Sequence, residues 1–102
     1  MVTFLWMALL FEWDSKKAKL NLVKHGVSFK EALTVFADPL AKIFDDEEHS
    51  AGEQREILIG HSARNRLLLV CFLARRTRVR LISARKATRW ERKDYEENSG
   101  RK

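Results

Sequence analysis

Two apolar runs, residues 67–73 and 79–82, lie close together in the last third of the chain, and arginine is threaded into and around them. Strand side chains alternate between faces, so Arg78 and Arg80 share one face while Val79 and Leu81 take the other. Only Arg75-Arg76-Thr77 and its immediate neighbours separate the runs, and strands joined by so short a turn pair antiparallel. The chain must therefore be built around a sheet with cations fixed on one side. From Arg64 to Lys93 there are 11 basic residues and one acid, Glu91, with Asp94 just beyond. Solvated arginines need no such placement, and the pattern reads as a site for a polyanion.

Charge is divided along the chain. Residues 1–50 carry six lysines and eight acids, a net −2; residues 51–102 carry 14 Lys and Arg and six acids, a net +8. The basic half calls for an anionic partner, nucleic acid being the commonest. Asp45-Asp46-Glu47-Glu48 reads either as a solvated loop or as an internal counter-charge. At 102 residues the chain is long enough for one domain, and 45% apolar with 33% charged residues marks a folded protein. Cys71 stands alone, so no disulfide forms within the chain; it reads as a small buried hydrophobe, in keeping with a reducing cytoplasm. Residues 1–10 are apolar but too short to span a membrane, and they lack the basic start and cleavage site of a signal peptide. They read as a strand, or in part as an extension from a start upstream of Met7.

The remaining elements follow from local chemistry. Asp14 or Ser15 caps a helix running to about His25, which Gly26 ends in the left-handed conformation. Ser28-Phe29-Lys30-Glu31 forms a capping box, and Asp38-Pro39 stops the helix it opens. Strands are expected over residues 40–45, 55–61, 67–74 and 78–84, with Asn65 suited to the tight turn between the second and third of these. Thr88-Arg89-Trp90-Glu91 is a second capping box, opening a helix to about Asn98, and residues 99–102 form a frayed tail. The order β-α-α-β-β-β-α predicts an α+β domain over residues 1–102: an antiparallel sheet with two N-terminal helices on one face, the other face free for ligand, and a C-terminal helix.

Gly-rich phosphate loops, C-x-x-C and H-E-x-x-H are absent, and His25, His49 and His61 have no metal-ligand spacing. What remains is cation-rich chemistry suited to negative charge building on a phosphate. In metal-free RNA cleavage a base takes the 2′-OH proton, cations stabilise the phosphorane, and an acid protonates the leaving 5′ oxygen.

A set of short motifs appears in order. These are Phe11-Glu12-Trp13-Asp14, Lys24-His25-Gly26-Val27-Ser28-Phe29, Asp38-Pro39, Gly52-Glu53-x-Arg55, Ile59-Gly60, and Arg80-Leu81-Ile82-Ser83-Ala84-Arg85-Lys86-Ala87 followed by Glu91-Arg92 and Tyr95. Together, from about Phe11 to Glu97, they resemble the BrnT family of bacterial toxins. The resemblance implies a RelE-like metal-independent endoribonuclease, the toxin of a type II toxin–antitoxin pair. It implies a ribbon-helix-helix DNA-binding antitoxin, BrnA, that brings the pair to operator DNA, with a possible dimer in the complex. No cofactor and no membrane are implied. The ten N-terminal residues exceed the usual family start, and His61 stands where an aromatic such as tyrosine is common.

Candidate catalytic residues are Arg80, which alternates within an otherwise apolar strand, Arg85 at that strand's end, Arg64 and Glu53. Candidate RNA contacts are Lys24, His25, Arg55, Arg66, Arg78 and Lys86. Lys17, Asn21 and Lys24 share a helix face, to be read as solvated or as RNA-contacting. His25 also reads as a charge at a helix end, Trp13 as core in preference to a base-stacking platform, and Trp90 as a platform for RNA or a protein partner. Two other functions remain open, a non-catalytic nucleic-acid-binding module and an inactive toxin acting as corepressor.

Overall fold

Alternation in the arginine-rich segment produces the hairpin expected of it, β5 (Leu67–Arg75) and β6 (Arg78–Lys86). Upstream lie β1 (Val2–Trp6), β2 (Leu9–Trp13), α1 (Ser15–His25), α2 (Phe29–Leu33), a 3-10 turn (Thr34–Ala37), β3 (Lys42–Asp45) and β4 (Glu56–His61); α3 (Arg89–Ser99) ends the fold. The structure is a computed structural model, and it describes residues 1–47 and 54–99. Among the described residues, no helix is long and apolar enough to cross a membrane.

Among the described residues, six strands form one sheet in the order β1-β2-β6-β5-β4-β3. The α+β class is as expected, with two differences. The sheet is mixed, because β2 runs parallel to β6, with Leu10, Phe11 and Glu12 opposite Arg78, Val79 and Arg80. The N-terminal strand is in fact a hairpin, turned by Met7 (φ 52) and Ala8 (φ 65). Two consecutive left-handed residues match the right-handed twist of the strands they join, but neither residue type advertises such a turn.

The main core lies between the sheet and the α1–α2 layer. Phe11, Trp13, Leu58, Leu68, Val70, Val79, Leu81 and Ala84 from the strands meet Val27, Phe29, Ala32, Leu33 and Val35. Trp13 is core, as expected, packed edge-on against Phe29 with ring centroids 5.9 Å apart. Gly60 allows the 3-10 turn and the segment after it to close on β4, since a Cβ there would lie 3.0 Å from Val35 Cγ1 and 2.8 Å from the Ala41 Cβ. The opposite face is only partly free. Tyr95 of α3 packs on Ile59, Leu67 and Leu69 and leaves the β5–β6 end uncovered.

The helix ends follow the sequence closely. Asp14 accepts from the N–H of Lys16 at 2.8 Å, and Gly26 (φ 69) closes α1. At Thr88 the capping box is complete, with Glu91 N–H donating to Thr88 Oγ1 and Thr88 N–H to Glu91 Oε1. At Ser28 only half forms. Glu31 N–H donates to Ser28 Oγ at 3.0 Å, but the Glu31 carboxylate turns instead to Ser62 and Arg66.

Candidate functional site

One irregularity decides which arginines meet. Between Cys71 and Phe72 the register shifts, so that Phe72 pairs with Leu81 while Cys71 pairs with Ser83. Ile82 is the extra residue of a bulge, and a bulge re-aims the side chains beyond it. In unbroken alternation Arg80 and Arg85, five positions apart, would take opposite faces. With the bulge, Arg80 stands across from Leu73 and Arg85 across from Leu69, both on the face away from α1 and α2.

That open face carries two hollows along β5 and β6. The smaller, about 300 Å³, is lined by Glu12, Leu73, Arg75, Arg78 and Arg80. The larger, about 400 Å³, is lined by Asp46, Arg55, Ile57, Leu69, Cys71, Ile82, Ser83 and Arg85. Four of the predicted residues, Arg55, Arg78, Arg80 and Arg85, are thus gathered on one surface.

Each cluster of cations is braced by a carboxylate. Glu12 Oε1 accepts from Arg78 Nη1 at 2.6 Å and Oε2 from Arg80 Nε at 3.2 Å. Burial alone would push the Glu12 carboxyl up, but hydrogen bonds from the two arginines, and their charges, hold it below the ordinary range. Arg85 and Glu91 form a two-pronged pair, both bonds 2.8 Å. Those bonds hold Glu91 down to about 2 against the opposing effect of partial burial, with the Thr88 N–H helping. The pair ties the first turn of α3 to the rim of the larger hollow.

Cys71 differs from its sequence reading: it is half-buried and lines the larger hollow instead of the core. Burial, then the neighbouring Asp46 charge, pushes its thiol up to about 11, so it stays protonated at neutral pH. Asp46 is buried beside it, Cys71 Sγ lying 3.7 Å from Asp46 Oδ2, so this member of the acidic run faces inward.

The other predicted residues lie elsewhere. Arg66 donates from Nε to Glu31 Oε2 at 2.9 Å, from Nη2 to Glu31 Oε1, and to the Gly26 carbonyl at 3.1 Å. Arg64 stands 3.6 Å from the same carboxylate. Arg66 hydrogen bonds, outweighing burial, and a bond from Ser62 hold Glu31 below its ordinary range. This network fastens the β4–β5 turn to the start of α2, so Arg66 is built into the helix side, with Arg64 exposed beside it. Lys24 and His25 sit at the nearby end of α1, also away from the open face. Lys86 pairs with Leu68, a residue of the helix-side core, and so points to that side. Asn21 is buried, contrary to the expected exposed face. Glu53 and His49 lie outside the described residues. Among the described residues, no three His, Cys, Asp or Glu side chains are grouped to hold a metal ion.

Sequence reading missed Glu12 as a site residue, although the signal was present. An acid between Phe11 and Trp13 in a strand must face away from the core both aromatics enter.

A family model, described as the ribonuclease toxin BrnT of type II toxin–antitoxin systems, matches residues 13–91. Among solved structures, the chain is similar to the Brucella abortus ribonuclease toxin BrnT. The identity is 24% and the TM-score 0.59, over 78% of this chain and 96% of that one. Comparison with curated proteins found no match.

Proposed function

This chain belongs to the BrnT family of ribonuclease toxins of type II toxin–antitoxin systems, and on that premise we propose that its open sheet face cleaves RNA without a metal ion. The observation that carries this reading is the convergence of Arg78, Arg80 and Arg85 on one face through the β6 bulge. In the reaction, a 2′-hydroxyl gives up its proton and attacks the adjacent phosphorus. The P–O5′ bond then breaks, leaving a 2′,3′-cyclic phosphate and a 5′-hydroxyl. Negative charge grows on the phosphate oxygens along the way. Fixed guanidinium groups stabilise that charge more than the ground state, which is the condition for catalysis. Arg80 and Arg78 take this role, with Arg55 and Arg85 holding the RNA strand beside them.

The product is a growth-arresting toxin, acting in the cytoplasm by cutting RNA needed for translation. Its partner is a ribbon-helix-helix antitoxin of the BrnA kind, which covers the basic face, pairs the toxins as a dimer in the complex, and supplies all contact with operator DNA. The test is incubation of the purified protein with single-stranded RNA in EDTA. Cleavage to ends carrying 2′,3′-cyclic phosphate is expected. Binding without cleavage, or cleavage only after Mg²⁺ or Mn²⁺ is added, would overturn the reading.

A further inference from the structure

Strand arginines do not hold themselves still. Arg78 and Arg80 leave β6 on the same side two residues apart, so their charges repel and their long side chains are otherwise free to swing. Glu12 stands against both. It is only 7% exposed, and it is the register partner of Arg80 in the parallel pair of strands. Each of its oxygens is committed to a different guanidinium, Arg78 at 2.6 Å and Arg80 at 3.2 Å. It grips Arg80 by Nε, the nitrogen nearest the backbone, which leaves the terminal nitrogens for another acceptor. One of them, Nη2, lies 3.6 Å from the uncharged Met1 sulfur. The 300 Å³ hollow these groups line holds three arginines and one carboxylate. A carboxylate whose oxygens are both occupied is a poor proton acceptor and a good brace.

We propose that Glu12 is a positioning residue: it clamps Arg78 and Arg80 so that their terminal nitrogens converge on one RNA phosphate in this hollow. The proposal rests on the open face being the RNA-cleaving site. It carries a sign that a merely structural residue lacks. A buried negative charge beside the phosphate weakens RNA binding, so the advantage of Glu12 must appear in turnover.

The experiment compares the wild-type protein with Glu12→Gln, Glu12→Asp, Arg80→Ala and the Glu12→Gln/Arg80→Ala double variant. Cleavage of a fluorescent RNA oligonucleotide and thermal melting are measured on the same samples. Glu12→Gln is expected to lower kcat by about 10- to 100-fold, the scale of misplacing a reacting group, with KM unchanged or lower. Because Glu12 acts through Arg78 and Arg80 together, Glu12→Gln should lower kcat by a smaller factor in the Arg80→Ala background, where only the Arg78 contact is left to lose, than in the wild type. Glu12→Asp keeps the charge but is one methylene short of spanning both arginines; its kcat should fall between the two. Wild-type kcat in folded Glu12→Gln would overturn the proposal, as would a raised KM with unchanged kcat. A fall in the Arg80→Ala background as large as that in the wild type would also overturn it, by giving Glu12 a role that does not pass through the pair, such as proton transfer. If Glu12→Gln does not fold, Glu12→Asp decides, and wild-type kcat there overturns the proposal. If the wild-type protein does not cleave RNA, or Arg80→Ala cleaves as well as it does, the open-face reading itself falls.

Discussion

Asn21 shows how one uncharged residue can be misread from its neighbours. Its spacing from Lys17 and Lys24 predicts a shared polar face, but the side chain is buried against the sheet. β2 gives way to α1 after Trp13, so at Ala84 β6 pairs with β5 on one side and has no strand on the other. The Asn21 amide takes that strand's place: it accepts from the Ala84 N–H at 3.1 Å and donates to the Ala84 carbonyl at 2.8 Å and the Val27 carbonyl at 3.0 Å. Asn21→Ala should therefore cost about 2–4 kcal/mol in urea unfolding, since it leaves buried backbone groups unsatisfied. Lys17→Ala and Lys24→Ala should stay within about 0.5 kcal/mol. Glu31 is a second such residue, legible as a cap but not as the anchor of Arg66. Its folded carboxyl is held below the ordinary value of 4.5, so the unfolded chain takes up the proton first. Its stabilisation is thus complete above the unfolded value and is lost as pH falls through the folded one. Glu31→Gln should melt well below wild type at neutral pH, and the gap should narrow steadily in acid. A constant gap would mean that the carboxylate charge contributes nothing.

At the scale of elements, the sequence reports what chemistry is local and is silent where pairing is distant. Asp14, Gly26, Pro39, Asn65 and Thr88 mark their turns and caps because each acts within a few residues. The bulge at Ile82 cannot be read, because it depends on the register between β5 and β6, and so the shared face of Arg80 and Arg85 cannot be read either. The β1–β2 hairpin is hidden for a different reason: Met7 and Ala8 adopt positive φ without the residues that do so readily. Replacing Met7-Ala8 with Asn-Gly should relieve that strain and stabilise the protein by about 1 kcal/mol. Thermal melting checks this, and a lower melting temperature would count against the turn as described.

For the whole molecule, the α+β class and the two helices on one face follow from element order alone. The parallel β2–β6 contact does not, since it joins the two ends of the chain and no local signal fixes it. That contact also brings the mainly acidic N-terminal half to the arginines, through Glu12. Folding therefore sorts the charge by face. Arg78, Arg80 and Arg85 stand on the open side, while Arg66 is drawn into the helix side by Glu31 and Arg64 lies exposed beside it. Net charge alone would make any cation removed equally costly to RNA cleavage; charge placed on one face would not. Single-turnover RNA cleavage by Arg80→Ala and Lys19→Ala, with melting measured on the same samples, separates these cases, because each variant loses one positive charge. Lys19 is exposed on α1, away from the open face. The account predicts at least about a 100-fold loss for folded Arg80→Ala, the scale of removing a preorganised charge donor, and wild-type cleavage for Lys19→Ala. Wild-type cleavage by folded Arg80→Ala, or equal losses in the two variants, would contradict it.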